Sequence, residues 1–364
     1  MKLAIVHDFL NQYGGAERVV GYFKKIYPEA PIYTSIYFPE STFDLFKEQD
    51  IKTSFMQRIP GVNKHYRNFF FIYPLAFKRF NLSSYEIVIT SSSSFSNFIN
   101  KGETNIVISY CYTPARFLWD FDKYMGGEHI AKGFQLIIKP LINNLRKRDI
   151  DASKKVDYFI AISKFIKKKI KRIYNRDAKV IYPPIELGKY RYKERKEDFY
   201  IVVSRLKRYK RIDIAIQAFN KLNKKLIVVG TGENEINLKK MAKDNIKFLG
   251  KVEENKLLDL YSDARALIFT GEEDFGLTPL EAQASGTPAI AFKGGGALET
   301  ILEGKTGFLY ERQEVDSLVD VIKEFEKNRV DPVICRKNAA GFDLKYFKKQ
   351  IVGFISNIYE SEFN

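Results

Sequence analysis

Two glutamates, Glu273 and Glu281, stand eight positions apart in the stretch Glu-Asp-Phe-Gly-Leu-Thr-Pro-Leu-Glu, around a turn that must become a helix. Ionised carboxylates accept hydrogen bonds from paired hydroxyls, so one can meet a sugar ring and the other a ribose diol. Thr278 suits an N-cap, Pro279 the first helical position and Glu281 the third, which predicts a helix starting at Thr278. Gly276 lets the backbone approach a ligand, and the unpaired N–H groups and positive dipole end of a helix favour phosphate. The stretch has the chemistry to hold a sugar nucleotide. The same residues also spell a capping box, in which Glu281 only reaches back to the N–H of Thr278 and Glu273 is a solvated loop acid.

The diphosphate of a bound sugar nucleotide is stabilised by cations fixed beside it. Arg205 ends an apolar run and Lys210 lies five residues on, near the next helix start. Both can point at one anion, although two surface cations in a Lys-rich loop would look the same. Gly14 and Gly15 suit a loop whose N–H groups approach that diphosphate from another domain, without the full dinucleotide fingerprint. Glu17 reads as a first-turn acid that stabilises its helix. His7, at a strand end, is either a ligand contact or a packed residue. Asp120-Phe-Asp122 and Asp149-Ile-Asp151 match a metal-binding Asp-x-Asp, but neither follows a strand beside a phosphate-binding turn, so no metal site is assigned.

Short Ile- and Val-rich runs alternate with longer amphipathic segments, the pattern of parallel sheets flanked by helices. Strands are expected over 3–6, 32–36, 87–90, 106–110 and 158–162, with helices near 15–26 and 163–174. A second series follows at 199–203, 226–229, 246–248, 266–269 and 289–292, with helices near 211–222, 254–262, 278–285 and 315–327. Between Tyr182 and Asp198, Tyr-Pro-Pro opens a charged stretch with little apolar periodicity, which places the linker there. The expectation is an α/β chain of two Rossmann-like domains facing each other across a cleft, because open parallel sheets bind ligands beyond their C-terminal strand ends.

At 364 residues the chain is long enough for two cores, and 45% hydrophobic content can fill them. Cys111 and Cys335 are far apart and lack metal-ligand spacing, so neither a disulfide framework nor a zinc site is suggested. No signal-peptide pattern precedes the first strand, and the longest apolar run, Phe69 to Phe77, is short of the ~20 residues a membrane span needs. A cytoplasmic protein is expected. The net charge of +16 invites a nucleic-acid reading. The cations are spread along the chain without a nucleic-acid-binding motif, so nucleic acid is not expected as a partner. In the densest run, Lys164 to Arg172, Ile166, Ile170 and Ile173 would face a core and leave Lys164, Lys167, Lys168 and Lys171 outward. That face is either simply solvated or meets an anionic membrane surface, at the inner face of the membrane.

With these residues in place, Glu273 to Glu281 resembles the paired-glutamate signature of retaining GT-B glycosyltransferases, specifically glycosyltransferase family four. Ser204-Arg205-Leu206 with Lys210 is similar to that family's Gly-Arg-Leu and following Lys. Val229-Gly230-Thr231-Gly232, Gly294-Gly295-Gly296 to Glu299, and Lys305-Thr306-Gly307-Phe308 resemble further family turns. His7-Asp8 through Gly14-Gly15-Ala16-Glu17, then Tyr110-Cys111-Tyr112-Thr113-Pro114 and Trp119-Asp120, are similar to mannosyltransferase-like members of surface polysaccharide assembly. Tyr112 stands where those relatives usually carry His, and Arg211 where many carry Gly.

The resemblance implies an acceptor-side domain over 1–185, a nucleotide-sugar-binding domain over 186–344, and a helix over 345–364 crossing back to the first. It implies a metal-independent, retaining hexosyltransferase without a cofactor, with Glu273, Arg205 and Lys210 as catalytic residues. The implied substrate-binding set is Gly14, Gly15, Arg205, Lys210, Gly230, Glu273, Phe275, Gly276, Leu277 and Glu281. The donor is expected to be GDP-mannose, with UDP-sugars open, and the acceptor a saccharide or lipid-linked saccharide. A sugar-nucleotide epimerase on the same fold is the alternative, but it needs well-placed acid and base groups that are not evident.

Overall fold

The computed structural model describes residues 1–120 and 132–363, with the helix over 132–138 described by its backbone alone. By its internal contacts the chain forms two compact units, Met1–Tyr182 with Lys348–Asn364, and Pro183–Phe347.

In the first unit the strands are β1 (Leu3–His7), β2 (Ile32–Thr34), β3 (Ile51–Thr53), β4 (Ile87–Ser92), β5 (Ile106–Cys111), β6 (Tyr158–Ala161) and β7 (Ala178–Val180). They lie in the order β3-β2-β1-β4-β5-β6-β7, and every pairing is parallel. The second unit holds β8 (Tyr200–Val203), β9 (Leu226–Val229), β10 (Ile246–Gly250), β11 (Ala266–Phe269), β12 (Ala289–Phe292) and β13 (Gly307–Tyr310), ordered β10-β9-β8-β11-β12-β13 and again parallel. Parallel strands are covered on both faces, which is why β1, β4, β5 and β11 are buried along their whole length. Each unit is a Rossmann-like α/β domain. In each, strand order reverses beside the first strand, between β1 and β4 and between β8 and β11, and that is where an open parallel sheet offers a crevice at its C-terminal ends.

The helices follow their apolar stripes. Gly15–Ile26 buries Val19, Val20, Tyr22 and Phe23 against the sheet. Lys164–Tyr174 starts at Ser163, whose Oγ accepts from the N–H of Ile166 at 3.0 Å, and buries Ile166 and Ile170. Ile173 is only half-buried, and the charged residue on the covered side is Lys169, whose ammonium donates to Thr113 Oγ1 at 3.1 Å and pairs with Asp120. Asp149, from the other Asp-x-Asp, is buried and accepts from Trp119 Nε1 and Tyr174 Oη, both at 2.7 Å. Burial pushes its carboxyl up to about 6. Asp122 lies outside the described residues.

The helix Leu344–Phe363 closes the chain, and from Lys348 on it belongs to the first unit. It buries Ile351, Ile355 and Ile358, and its Tyr359 Oη donates to Glu86 Oε1 at 2.9 Å. Before it, Ile185 donates to Phe342 O at 2.9 Å and accepts from Leu344 N at 3.0 Å. Among the described residues, no helix is long and apolar enough to cross a membrane.

Candidate active site

In the second unit, chain segments from the C-terminal ends of β8, β9, β11 and β12 converge backbone against backbone. After β8, Ser204 donates from its N–H to Val229 O at 3.0 Å, and Leu206 to Thr231 O at 2.9 Å. A Cβ on Gly230 would lie 1.9 Å from Ser204 O, and one on Gly232 2.5 Å from Leu206 O. Only glycine permits that approach, and Gly230 also adopts φ +123°. Arg205 sits between the two contacts and is exposed. Lys210, by contrast, is buried.

Lys210 is held from two sides. Its carbonyl accepts from Thr270 Oγ1, just past β11, at 2.8 Å, and Thr270 O in turn accepts from Gln313 Nε2 at 2.8 Å. Its ammonium pairs with the Glu273 carboxylate. The loop carrying Glu273 is clamped by the glycine run after β12. Gly296 donates from its N–H to Glu273 O at 2.8 Å, and a Cβ there would lie 2.1 Å from Phe275 Cα. Lys210, Glu273 and Gly294–Gly296 therefore form one tight assembly, with Arg205 exposed on the segment that leads into the turn Arg208–Lys210.

The helix start differs from the expected one. Gly276, at φ +88°, takes the cap position and the helix runs Leu277–Ala284, which puts Pro279 at the third helical position and Glu281 at the fifth. The left-handed glycine turns the chain into the helix earlier than the Thr-Pro signal suggests. Thr278 is inside the helix, so the capping box with Glu281 does not form. Glu281 instead accepts from Tyr261 Oη through Oε2 at 2.9 Å, in a buried setting. Phe275 is buried and lies against Phe342, with ring centroids 5.9 Å apart, while Leu277 is half-buried.

Arg211 adopts φ 52° between the turn of Lys210 and the helix Ile212–Leu222, a left-handed position that suits glycine. Its guanidinium pairs with Asp213 at 3.3 Å. Thr270, Gln313 and Tyr261 hold the expected site residues without any sequence signal, because each acts from a distant element with ordinary residue chemistry.

Gly14 and Gly15 are in the first unit, at the cap and first position of the helix Gly15–Ile26. A Cβ on Gly14 would lie 2.2 Å from Glu17 Oε2, so the glycine makes room for the folded-back Glu17 carboxylate. Glu17 Oε1 accepts from Gln12 Nε2 at 2.7 Å and lies 3.8 Å from His7 Nε2. His7 is packed, its Nδ1 within 3.1 Å of Ser91 O and 3.0 Å of Ser91 Oγ. Tyr112 joins the same network, its Oη 3.0 Å from Ser91 Oγ and donating to Ala16 O at 3.1 Å. Burial raises that phenol well above its ordinary range. Asp8, next to His7, accepts from the N–H groups of Ser93, Phe95 and Ser96 at 2.6–2.7 Å and so ties β1 to the loop after β4.

Residues 189–342 match the family described as Glycosyl transferases group 1, a span inside the second unit. Among curated relatives, N-acetyl-alpha-D-glucosaminyl L-malate synthase of Bacillus anthracis is 33% identical over 146 residues, 36% of this chain and 38% of that one. The O-antigen chain mannosyltransferase RfbU of Salmonella typhimurium is 32% identical over 154 residues, 38% of this chain and 42% of that one. The chain thus spans about two-fifths of the length of these relatives. HepE of Anabaena, solved in complex with UDP, superposes with a TM-score of 0.72 at 17% identity, covering 98% of this chain and 100% of that one. That likeness shows the fold, the pair of Rossmann-like domains known as GT-B.

Proposed function

We propose that this chain is a retaining, metal-independent glycosyltransferase. It moves a hexosyl group, mannose by this reading, from a nucleoside diphosphate donor to a saccharide or lipid-linked saccharide acceptor in surface polysaccharide synthesis. The assembly of Lys210, Glu273 and Gly294–Gly296 at the strand-order reversal of the second unit carries the reading. Arg205 and Lys210 neutralise the diphosphate, so no metal is required there. Glu273 accepts hydrogen bonds from donor-sugar hydroxyls. Glu281, fixed by Tyr261, accepts from the ribose diol. The bond from the anomeric carbon to the phosphate oxygen breaks, the acceptor oxygen bonds to the same face, and the leaving phosphate takes the acceptor proton. No protein nucleophile is needed.

The choice of mannose, with GDP-mannose as the donor, is supported by the resemblance to mannosyltransferases and by the O-antigen chain mannosyltransferase among the relatives. HepE is solved with UDP-glucose, and at 18% identity that speaks to the fold and not to this donor. The test is a donor panel, GDP-mannose against UDP-glucose and UDP-galactose, read by calorimetry and by mass spectrometry of slow donor hydrolysis. Binding and hydrolysis of GDP-mannose are expected. Preference for a UDP-sugar would overturn the mannose assignment, and no binding of any sugar nucleotide would overturn the transferase reading.

A further inference from the structure

Between Asp50 and Glu86 the chain has no acidic residue, while Arg58, Lys64, Arg67, Lys78 and Arg79 fall inside that interval. Much of the interval coils. The short helices Val62–His65, Tyr66–Phe69 and Tyr73–Lys78 follow one another closely, and Phe70 and Ile72 between them keep right-handed helical backbone. On such a path, residues three and four apart share a face.

The inward face is ordinary. Val62, Tyr73, Ala76 and Phe77 are buried, and Tyr73 stacks on Phe95 with ring centroids 4.7 Å apart. The outward face is not. It runs Lys64, Arg67, Phe71, Leu75, Lys78 and Arg79, with Phe71 50% and Leu75 48% exposed. Water-facing helical residues are normally polar, and here two large apolar side chains one turn apart are bracketed by cations at both ends. Phe70 packs against the cluster of Ala115, Leu118, Ile142 and Leu145, and Leu141, one turn from Leu145, is 39% exposed. The acid Glu40 lies at the edge, where Asn63 Nδ2 is 3.5 Å from its carboxylate.

We propose that this face docks on an anionic lipid bilayer, with Phe71 and Leu75 entering the headgroup boundary and Lys64, Arg67, Lys78 and Arg79 meeting lipid phosphates. An apolar stripe between basic ends is the chemistry of an interfacial helix. A second copy of the chain is a poor occupant, because two cationic faces would repel. The helix Lys164–Tyr174 is a poor docking face, because Ile166 and Ile170 are buried, leaving charge outward with nothing to insert. The inference goes beyond the transferase reading and does not rest on it.

The experiment is co-sedimentation of the full chain with vesicles of phosphatidylglycerol and phosphatidylcholine, against phosphatidylcholine alone. The chain should partition at least about tenfold better to the anionic vesicles. Phe71→Ser with Leu75→Ser should lower that binding about tenfold, with thermal unfolding unchanged because both side chains are half exposed. Lys64→Gln with Arg67→Gln should weaken it several-fold, whereas Lys164→Gln with Lys168→Gln, an equal loss of charge, should change it little. The proposal fails if wild type does not distinguish the two vesicles, if the Ser pair binds like wild type, or if the Lys164 and Lys168 pair loses more than the Lys64 and Arg67 pair. It fails equally if the Ser pair converts a wild-type dimer to a monomer in light scattering, since the face then joins two copies.

Discussion

Replacing Glu273 by Gln should tighten binding of a nucleoside diphosphate while abolishing transfer. The Lys210 ammonium is engaged by the Glu273 carboxylate, with side chains only 8% and 24% exposed. A diphosphate that recruits Lys210 must displace that partner and sit near its negative charge. A partly buried charge-assisted hydrogen bond contributes about 1.5–3 kcal/mol. Part of this is retained through the Gln amide oxygen, so removing the competition should gain about 1–2 kcal/mol, or about 5–30-fold in Kd. Calorimetric titration of GDP and UDP into wild type and Glu273→Gln, at one fixed ionic strength, measures it. Transfer should still collapse, because an amide replaces the carboxylate proposed to receive the sugar hydroxyls. Unchanged or weaker nucleotide binding in the variant would refute the reasoning, since it would mean that Lys210 does not exchange Glu273 for phosphate.

Arg205→Ala and Lys210→Ala should each weaken GDP binding by about 1–3 kcal/mol in the same titration, and unchanged affinity in both would remove the diphosphate assignment. Arg211→Gly should raise the urea midpoint, because it relieves ~1 kcal/mol of left-handed strain and gives up only a half-exposed pair with Asp213. Lys196 gives a pH signature. Its ammonium donates to Ser262 O, Ser285 O and Thr287 Oγ1, each at 2.9 Å, and burial pushes it down to about 8 from 10.5. The folded state then binds fewer protons than the unfolded one between those values. Unfolding free energy should therefore rise with pH across pH 8–10.5, by about 3 kcal/mol at most, and be lost again as pH falls through 8. Denaturation of wild type and Lys196→Met over that range checks it: the variant should be less stable at pH 9 but lack the rise.

The unbroken apolar runs made much of this fold legible. Leu226–Val229, Ala266–Phe269 and Ala289–Phe292 form strands over the residues read, because strands covered on both faces need no alternation. Ile51–Thr53 and Ala178–Val180 were not legible, being three-residue strands at the sheet edges with a lysine at the centre of each. Gly307–Tyr310 reads as a turn through its Thr-Gly pair, yet Gly307 starts β13, where a Cβ would lie 1.9 Å from Ala289 O. At the site, residue identity gave away Lys210 and Glu273 separately. Their pairing spans 63 positions and depends on Thr270 and the glycine run, which no local spacing encodes.

Each unit contains one cysteine, Cys111 in β5 and Cys335 in the helix Pro332–Ala340, and both are reduced and fully covered. Burial also pushes the Cys335 thiol up to about 12, so little thiolate exists while the unit stays folded. Nature has thereby supplied a reporter for each half. Peptide mapping of an alkylating reagent, followed over time, would time the breathing of one half independently of the other, with no engineered label.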